Sequence, residues 1–369
     1  MKILFVITGL GVGGAERQVV DIADRLVALG HVIKIAYLTG PALVRPHSLE
    51  IDIIGFQMQK TASGFIRAYF GLKKLIQSFG PDVVHSHMIH ANILTRVVRL
   101  TCRIPRLVCT AHSTNEGGKL RMLGYRLTAP LADVSTNVSI EAVAAFEAQG
   151  AVAPGSMLAV PNGIDTERFQ PSDSARVEFR RREGISEDEK VIIAVGRLNQ
   201  AKDYPNLFRA FADVLRSIGK VRLWIVGDGE LRANLVEEVA RNGITEKVKF
   251  LGVQSNVADW INAADVFTLS SAWEGFGLVV AEAMACKKVV VATDAGGVKE
   301  VLGNCGYLVP IRNSNALSAA LKEALRLPTE AAGSLGQAAR ERIISCYSLD
   351  NTVKRWCSIY EEARSSVTK

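Results

Sequence analysis

Short apolar runs, bounded by turn residues and followed by longer amphipathic stretches, recur along nearly the whole chain, and this alternation constrains the fold most. In the first half the runs lie at 3–8, 32–38, 51–55, 82–86, 106–111, 132–137 and 157–160, with helical patterns at 15–29, 65–79, 90–101, 120–130 and 139–149. The second half repeats the theme, with strands near 191–195, 221–226, 248–251, 266–270, 288–292 and 307–309 and helices near 204–218, 230–242, 256–263, 277–286 and 314–327. Strands alternating with helices mean a parallel sheet covered on both faces. At 369 residues the chain exceeds one ordinary domain, so it reads as α/β with two doubly wound, Rossmann-like domains. Pro161, Gly163 and the polar stretch 165–174 mark the hinge, separating 1–163 from 164–349. Two last helices, 329–346 and 350–365, have no strand after them.

The chemistry concentrates in Glu274-Gly-Phe-Gly-Leu-Val-Val-Ala-Glu282. Gly275 and Gly277 remove side chains where a ligand must approach backbone, and the amides of Phe276, Gly277 and Leu278 lead into a helix whose first turn suits a phosphate. Glu282, farther along that helix, can accept two hydrogen bonds from a vicinal diol. Alone, the segment reads rather as a turn-helix junction capped by Glu274 with Glu282 solvated. A second piece, Gly196-Arg197-Leu198-Asn199-Gln200-Ala201-Lys202, sends a guanidinium and an ammonium from the carboxyl end of a buried strand, where open α/β sheets bind ligands. Gly13-Gly14-Ala15-Glu16 follows the first strand, and Pro161-Asn162-Gly163 lies at the hinge. Val226-Gly227-Asp228-Gly229 and Leu251-Gly252-Val253 end further strands in turns that could frame a nucleotide, though Asp228-Gly229 is equally a plain helix entry, and Ala295-Gly296-Gly297 reads as a structural turn with modest donor contact.

The order and spacing of these pieces resemble the retaining glycosyltransferases of family 4, of the bacterial surface-polysaccharide type, along nearly the whole chain. That resemblance implies the GT-B fold: an acceptor-binding domain, 1–163, and a nucleotide-sugar-binding domain, 164–349, facing across a cleft. A last helix, about 350–369, would cross back onto the first domain with Trp356 and Tyr360 packed there. It also implies retention of anomeric configuration without a metal. On this reading the catalytic groups are His112, beside the transferred sugar, with Glu274, Arg197 and Lys202. Donor contacts would come from Gly14, Asn162, Arg197, Lys202, Gly227, Val253, Glu274, Phe276, Gly277, Leu278 and Glu282. Glu282 would hold the ribose and Glu274 the sugar hydroxyls. Gly13, Glu16 and His87 would face the acceptor, whereas His85 reads as structural; for Asn162 a plain Asn-Gly turn stays open.

Several other classes are excluded. Gly9-Leu10-Gly11-Val12-Gly13-Gly14 matches a dinucleotide fingerprint, but the second strand ends Tyr37-Leu38-Thr39-Gly40 without the carboxylate that a nicotinamide ribose needs. An Asp-x-Asp pair, which would carry a metal-dependent sugar transfer, does not occur, so no cofactor or metal is expected. The six cysteines form no Cys-x2-Cys pair and read as reduced core residues. The apolar windows are too short to span a bilayer, and the first residues lack a signal pattern, so the expected location is the cytosol. Residues 1–163 carry sixteen Lys plus Arg against ten Asp plus Glu, +6 of the chain's +7. That excess around Arg96, Arg99, Arg103, Arg106, Lys119, Arg121 and Arg126, interleaved with Met122, Leu123 and Tyr125, could touch the anionic inner face of the membrane. A solvated helix face beside a basic acceptor cleft fits it equally. Nucleic acid is excluded by the lack of an aromatic platform or recognition motif.

The resulting expectation is transfer of a hexose or N-acetylhexosamine from a nucleoside diphosphate sugar, UDP-linked, to a lipid-linked saccharide in polysaccharide biosynthesis. Alternatives are a UDP-N-acetylglucosamine 2-epimerase of the same fold, which needs no acceptor, and a non-catalytic sugar-nucleotide-binding regulator.

Overall fold

Seven strands form the first sheet: β1 (Lys2–Gly9), β2 (Val32–Thr39), β3 (Asp52–Gly55), β4 (Val83–His87), β5 (Arg106–Ala111), β6 (Val134–Asn137) and β7 (Met157–Ala159). Every pairing is parallel and the order is β3-β2-β1-β4-β5-β6-β7. Between them run α1 (Gly14–Ala28), α2 (Ala62–Phe79), α3 (Ile89–Arg99), α4 (Lys119–Thr128) and α5 (Ile140–Ala148). The continuous apolar run of β1 is divided by the strand's two-residue period: Ile3, Phe5 and Ile7 face one core, Leu4 and Val6 the other. This computed structural model describes residues 1–59, 61–114 and 116–362.

The second sheet contains β8 (Lys190–Val195), β9 (Val221–Val226), β10 (Val248–Gly252), β11 (Val266–Leu269), β12 (Val289–Thr293) and β13 (Tyr307–Val309), all parallel, in the order β10-β9-β8-β11-β12-β13. Its helices are α6 (Asp173–Arg182), α7 (Tyr204–Ile218), α8 (Arg232–Arg241), α9 (Val257–Ala263), α10 (Leu278–Ala285), α11 (Val298–Leu302), α12 (Ser314–Arg326) and α13 (Thr329–Tyr347). Contacts divide the chain into Met1–Gly163 with the segment from Leu349 onward, and Ile164–Ser348. In the first of these, α14 (Leu349–Glu361) buries Trp356 and Tyr360 in the core that holds Ile3, Phe5 and Ile7. The predicted extension of this helix to 365 runs past the described residues.

Two helices were not legible as apolar periods. In α6, Ala175 and Phe179 are the buried apolar positions, and Arg176 and Arg180 pair with Asp265 at 2.7 and 3.1 Å. The stretch 165–174, read as part of the hinge, has local structure: Asp165 accepts from Glu167 N and Arg168 N, and Ser172 caps α6 through Ala175 N. Five residues of α11 are too few to show a helical period.

Candidate functional site

In each sheet the strand order reverses direction once, between β1 and β4 in the first and between β8 and β11 in the second. Loops leaving the carboxyl ends of such a strand pair diverge to opposite faces and open a crevice there. In the second sheet that place holds the expected cations and carboxylate. Lys202 Nζ lies 2.6 Å from Glu274 Oε1, and Ser271 Oγ donates to the same oxygen at 2.6 Å. Among the described residues Glu274 Oε2 has no hydrogen bond. The loops are also tied through backbone: Ala272 N donates to Ala201 O at 2.8 Å and Ser270 Oγ to Lys202 O at 2.7 Å. The Lys202 and Glu274 side chains are only 16 and 15 % exposed, so water screens the pair less than a surface ion pair. Tyr204 donates to Gly196 O at 3.2 Å, and burial, then the charge of Glu274, raises its hydroxyl pKa. Arg197 stands exposed on the same loop.

Gly277 opens α10 with φ 85° and ψ 48°, a left-handed conformation that favours glycine, and no side chain caps the helix. Phe276 is buried edge-on to Tyr347 with ring centres 5.6 Å apart, which leaves its backbone as the part a ligand can reach. Glu282 lies in the second turn of α10, partly exposed. Gly227, at φ 129°, crosses Gly196 so closely that a Cβ would strike the Gly196 carbonyl oxygen, and its own amide donates to Gly252 O at 2.8 Å. Three strand ends are thereby locked together by backbone. Val253 follows them, 60 % exposed.

The first sheet gathers imidazoles instead. His85 and His87 project from the same face of β4 with rings 4.1 Å apart, and His87 Nδ1 lies 3.0 Å from His112 Nε2, just past β5. His85 is spanned by Tyr360 OH and Thr110 Oγ1, each at 2.7 Å. Burial holds His112 at about 4. Burial first, then the neighbouring imidazoles, keeps His85 and His87 well below the usual histidine range. All three are therefore neutral near pH 7. Glu116 accepts from His112 N and from Tyr125 OH, both at 3.0 Å, and Asn92 Nδ2 donates to Tyr125 OH at 2.8 Å and to Thr110 O at 2.9 Å. Burial raises the Glu116 carboxyl against the effect of those bonds. Met88, directly after His87, has φ 70° and ψ 158°, a region almost confined to glycine, so the turn that carries His87 is strained by about 1–3 kcal/mol.

Two sequence families match the chain. The one described as Glycosyltransferase Family 4 covers residues 12–168 and the one described as Glycosyl transferases group 1 covers 175–342. The chain is a glycosyltransferase with a family 4 and a group 1 domain. This glycosyltransferase is 28 % identical over 316 residues to the putative glycosyltransferase EpsD of Bacillus subtilis, covering 82 % of each chain. It is 27 % identical over 342 residues to the N-acetylgalactosamine-N,N'-diacetylbacillosaminyl-diphospho-undecaprenol 4-alpha-N-acetylgalactosaminyltransferase of Campylobacter jejuni, covering 88 % of this chain and 90 % of that one. Among solved structures it is similar to Anabaena HepE in complex with UDP and glucose, with a TM-score of 0.87, 21 % identity, and coverage of 98 and 100 %. The two parallel-sheet units are those of the GT-B fold.

Within the glycosyltransferase, the residues expected to bind donor fall at the carboxyl ends of β8 to β11 and on α10, apart from Gly14 and Asn162. Gly13 and Gly14 lie at the start of α1, where the Glu16 carboxylate folds back over Gly13. Asn162 is 6 % exposed beside Gly163, whose amide donates to Gln18 Oε1 at 2.6 Å. His87, expected to face the acceptor, has its ring 1 % exposed and turned towards His112. The basic surface also shrinks. Arg96, Met122 and Tyr125 are buried, Arg99 pairs with Asp133, and Arg106 donates to Ile359 O. Arg103, Arg121 and Arg126 stay exposed, with Leu120, Leu123 and Leu127 along α4; the Lys119 side chain lies outside the described residues. Three cysteines are buried, but Cys346 is exposed and Cys305 and Cys357 are half-buried. No helix among the described residues is long and apolar enough to cross a membrane. Sequence reasoning missed Ser271, Tyr204, Glu116 and Asn92, whose roles arise from tertiary contacts and leave no motif.

Proposed function

We propose that this glycosyltransferase moves a hexose or N-acetylhexosamine from a UDP-linked sugar to a lipid-linked saccharide at the inner membrane face during polysaccharide assembly, with retention and without a metal. The observation that carries the reading is the Lys202–Glu274 pair, which joins the two loops at the strand-order reversal of the second sheet. HepE, crystallised with UDP and glucose, supports the choice of nucleotide, and the name of the Campylobacter relative supports a lipid-diphosphate-linked acceptor.

In this reading the diphosphate leaves toward Arg197, Lys202 and the backbone amides from Phe276 to Leu278. Glu282 takes the ribose diol, and the open Oε2 of Glu274 takes a sugar hydroxyl. The bond from the anomeric carbon to the diphosphate oxygen breaks with its electron pair going to the diphosphate. The acceptor oxygen bonds the same face of that carbon, and its proton passes to the departing diphosphate. Preorganised charge stabilises this step. A charge-assisted bond contributes about 1.5–3 kcal/mol, so removing one cation should slow transfer roughly tenfold to a hundredfold. Labelled nucleotide sugars, incubated with the protein and membrane extract as acceptor source, test the reading. Acceptor-dependent labelling of lipid supports it; an epimerised nucleotide sugar, or binding without turnover, replaces it with an epimerase or a regulator.

A further inference from the structure

His87 has the geometry of a support for its neighbour. Its ring packs at a tilt against Phe5, with centres 5.7 Å apart, and against His85, at 4.1 Å, and its Nδ1 meets His112 Nε2 at 3.0 Å. The other nitrogen, Nε2, is buried with no hydrogen-bond partner. One proton must lie between the two rings, and two tautomer arrangements are open. If His112 donated it, the proton of neutral His87 would sit on Nε2 as a buried N–H bonded to nothing. If His87 donates it from Nδ1, only a lone pair is left unmatched. Buried orphan N–H groups are rarer than under-satisfied acceptors, and leaving one costs about 1–3 kcal/mol. The second arrangement is favoured.

We propose that His87 is a positioning residue: its Nδ1–H, donated to His112 Nε2, fixes His112 in the tautomer that carries its proton on Nδ1. His112 then offers the site a neutral N–H rather than a base or an acid. Such a group suits an oxygen lone pair of the transferred saccharide, by hydrogen bond alone, with no proton transferred. The low pKa of His112 agrees, since a ring that resists protonation keeps this single-donor form throughout the neutral range. The backbone bond from His112 N to Glu116 holds the residue from the other side, so orientation and tautomer are set by separate partners. The saccharide contact, though not the tautomer, rests on the function proposed above.

Nitrogen-15 NMR of the histidine side chains in the full chain at pH 7, without substrate, reads the tautomer directly. We expect a protonated Nδ1 on His112, loss of that preference in His87→Leu, and its recovery in His87→Asn, whose amide places a donor where Nδ1 stood. Transfer should follow: kcat down roughly tenfold or more in His87→Leu, with KM for the nucleotide sugar within about twofold, and largely restored in His87→Asn. A wild-type His112 protonated on Nε2, or a tautomer unchanged in His87→Leu, overturns the proposal. Wild-type NMR decides even if the leucine variant does not fold. The expected tautomers in a protein that transfers no sugar would refute the function above and leave the positioning role standing.

Discussion

Both halves of this glycosyltransferase are parallel sheets whose order reverses once, yet the two reversal points hold opposite chemistry. The second carries a lysine and a carboxylate 2.6 Å apart, with Arg197 on the same loop. The first carries imidazoles, hydroxyls and amides beside two carboxylates, Glu16 folded over Gly13 and Glu116 bonded to His112 N and Tyr125 OH. All six histidines fall between residues 31 and 112, and the second unit has none. A charged end suits the leaving diphosphate, whereas a neutral end suits saccharide hydroxyls, which need hydrogen bonds without net charge. Under the proposed function, the same backbone topology would serve two ligand chemistries through its strand-end residues.

Substitutions can break that contrast. The largest effect is expected from Lys202→Ala: transfer slowed roughly tenfold to a hundredfold or more. Near-wild-type turnover in that variant would remove the charged end from the chemistry. Gly227→Ala should come next. Its φ of 129° and the Gly196 carbonyl in the path of a Cβ lead us to expect about 1–3 kcal/mol of lost stability, readable by denaturant titration, because the crossed loops must separate.

Acid should act on the first unit. The three neutral imidazoles have folded pKa values below the unfolded value near 6.5, so their contribution is complete above that pH. As pH falls from about 6.5 toward 4, the unfolded chain gains protons that the folded chain refuses, and stability declines. Melting curves across that window should show a shallower slope in His87→Asn. The raised Glu116 carboxyl acts in the opposite sense at the low end, gaining its proton more readily when folded.

The smallest effect concerns the outer face of α4. Arg121→Gln should weaken sedimentation with anionic vesicles about fivefold, corresponding to about 1 kcal/mol per charge, and leave neutral vesicles unaffected. No difference between the vesicle types would assign Leu120, Leu123 and Leu127 to another partner.

Strand positions were legible because buried parallel strands are nearly continuous apolar runs, as in Val191 to Val195 of β8 and Val289 to Ala292 of β12. The loop motifs were legible because Gly227 and Gly277 occupy conformations with left-handed φ. Legibility failed where long-range pairing decided the outcome. Arg96 looks like a surface cation in sequence, yet the Tyr125 ring, Thr128 and Ser135 enclose it. His87 looked like a ligand contact because a strand end normally faces the crevice, yet its ring is buried against Phe5, His85 and His112. Helix α6 hid because Arg176 and Arg180, which mask its apolar period, pair with Asp265, 89 and 85 residues away in sequence.

Calorimetric titration with UDP tests the division between the two ends most directly. We expect Lys202→Ala to weaken UDP binding tenfold or more, and His112→Ala to leave it within about twofold while slowing transfer. UDP affinity lost in the histidine variant but kept in the lysine variant would contradict the assignment of charge to one sheet and saccharide to the other.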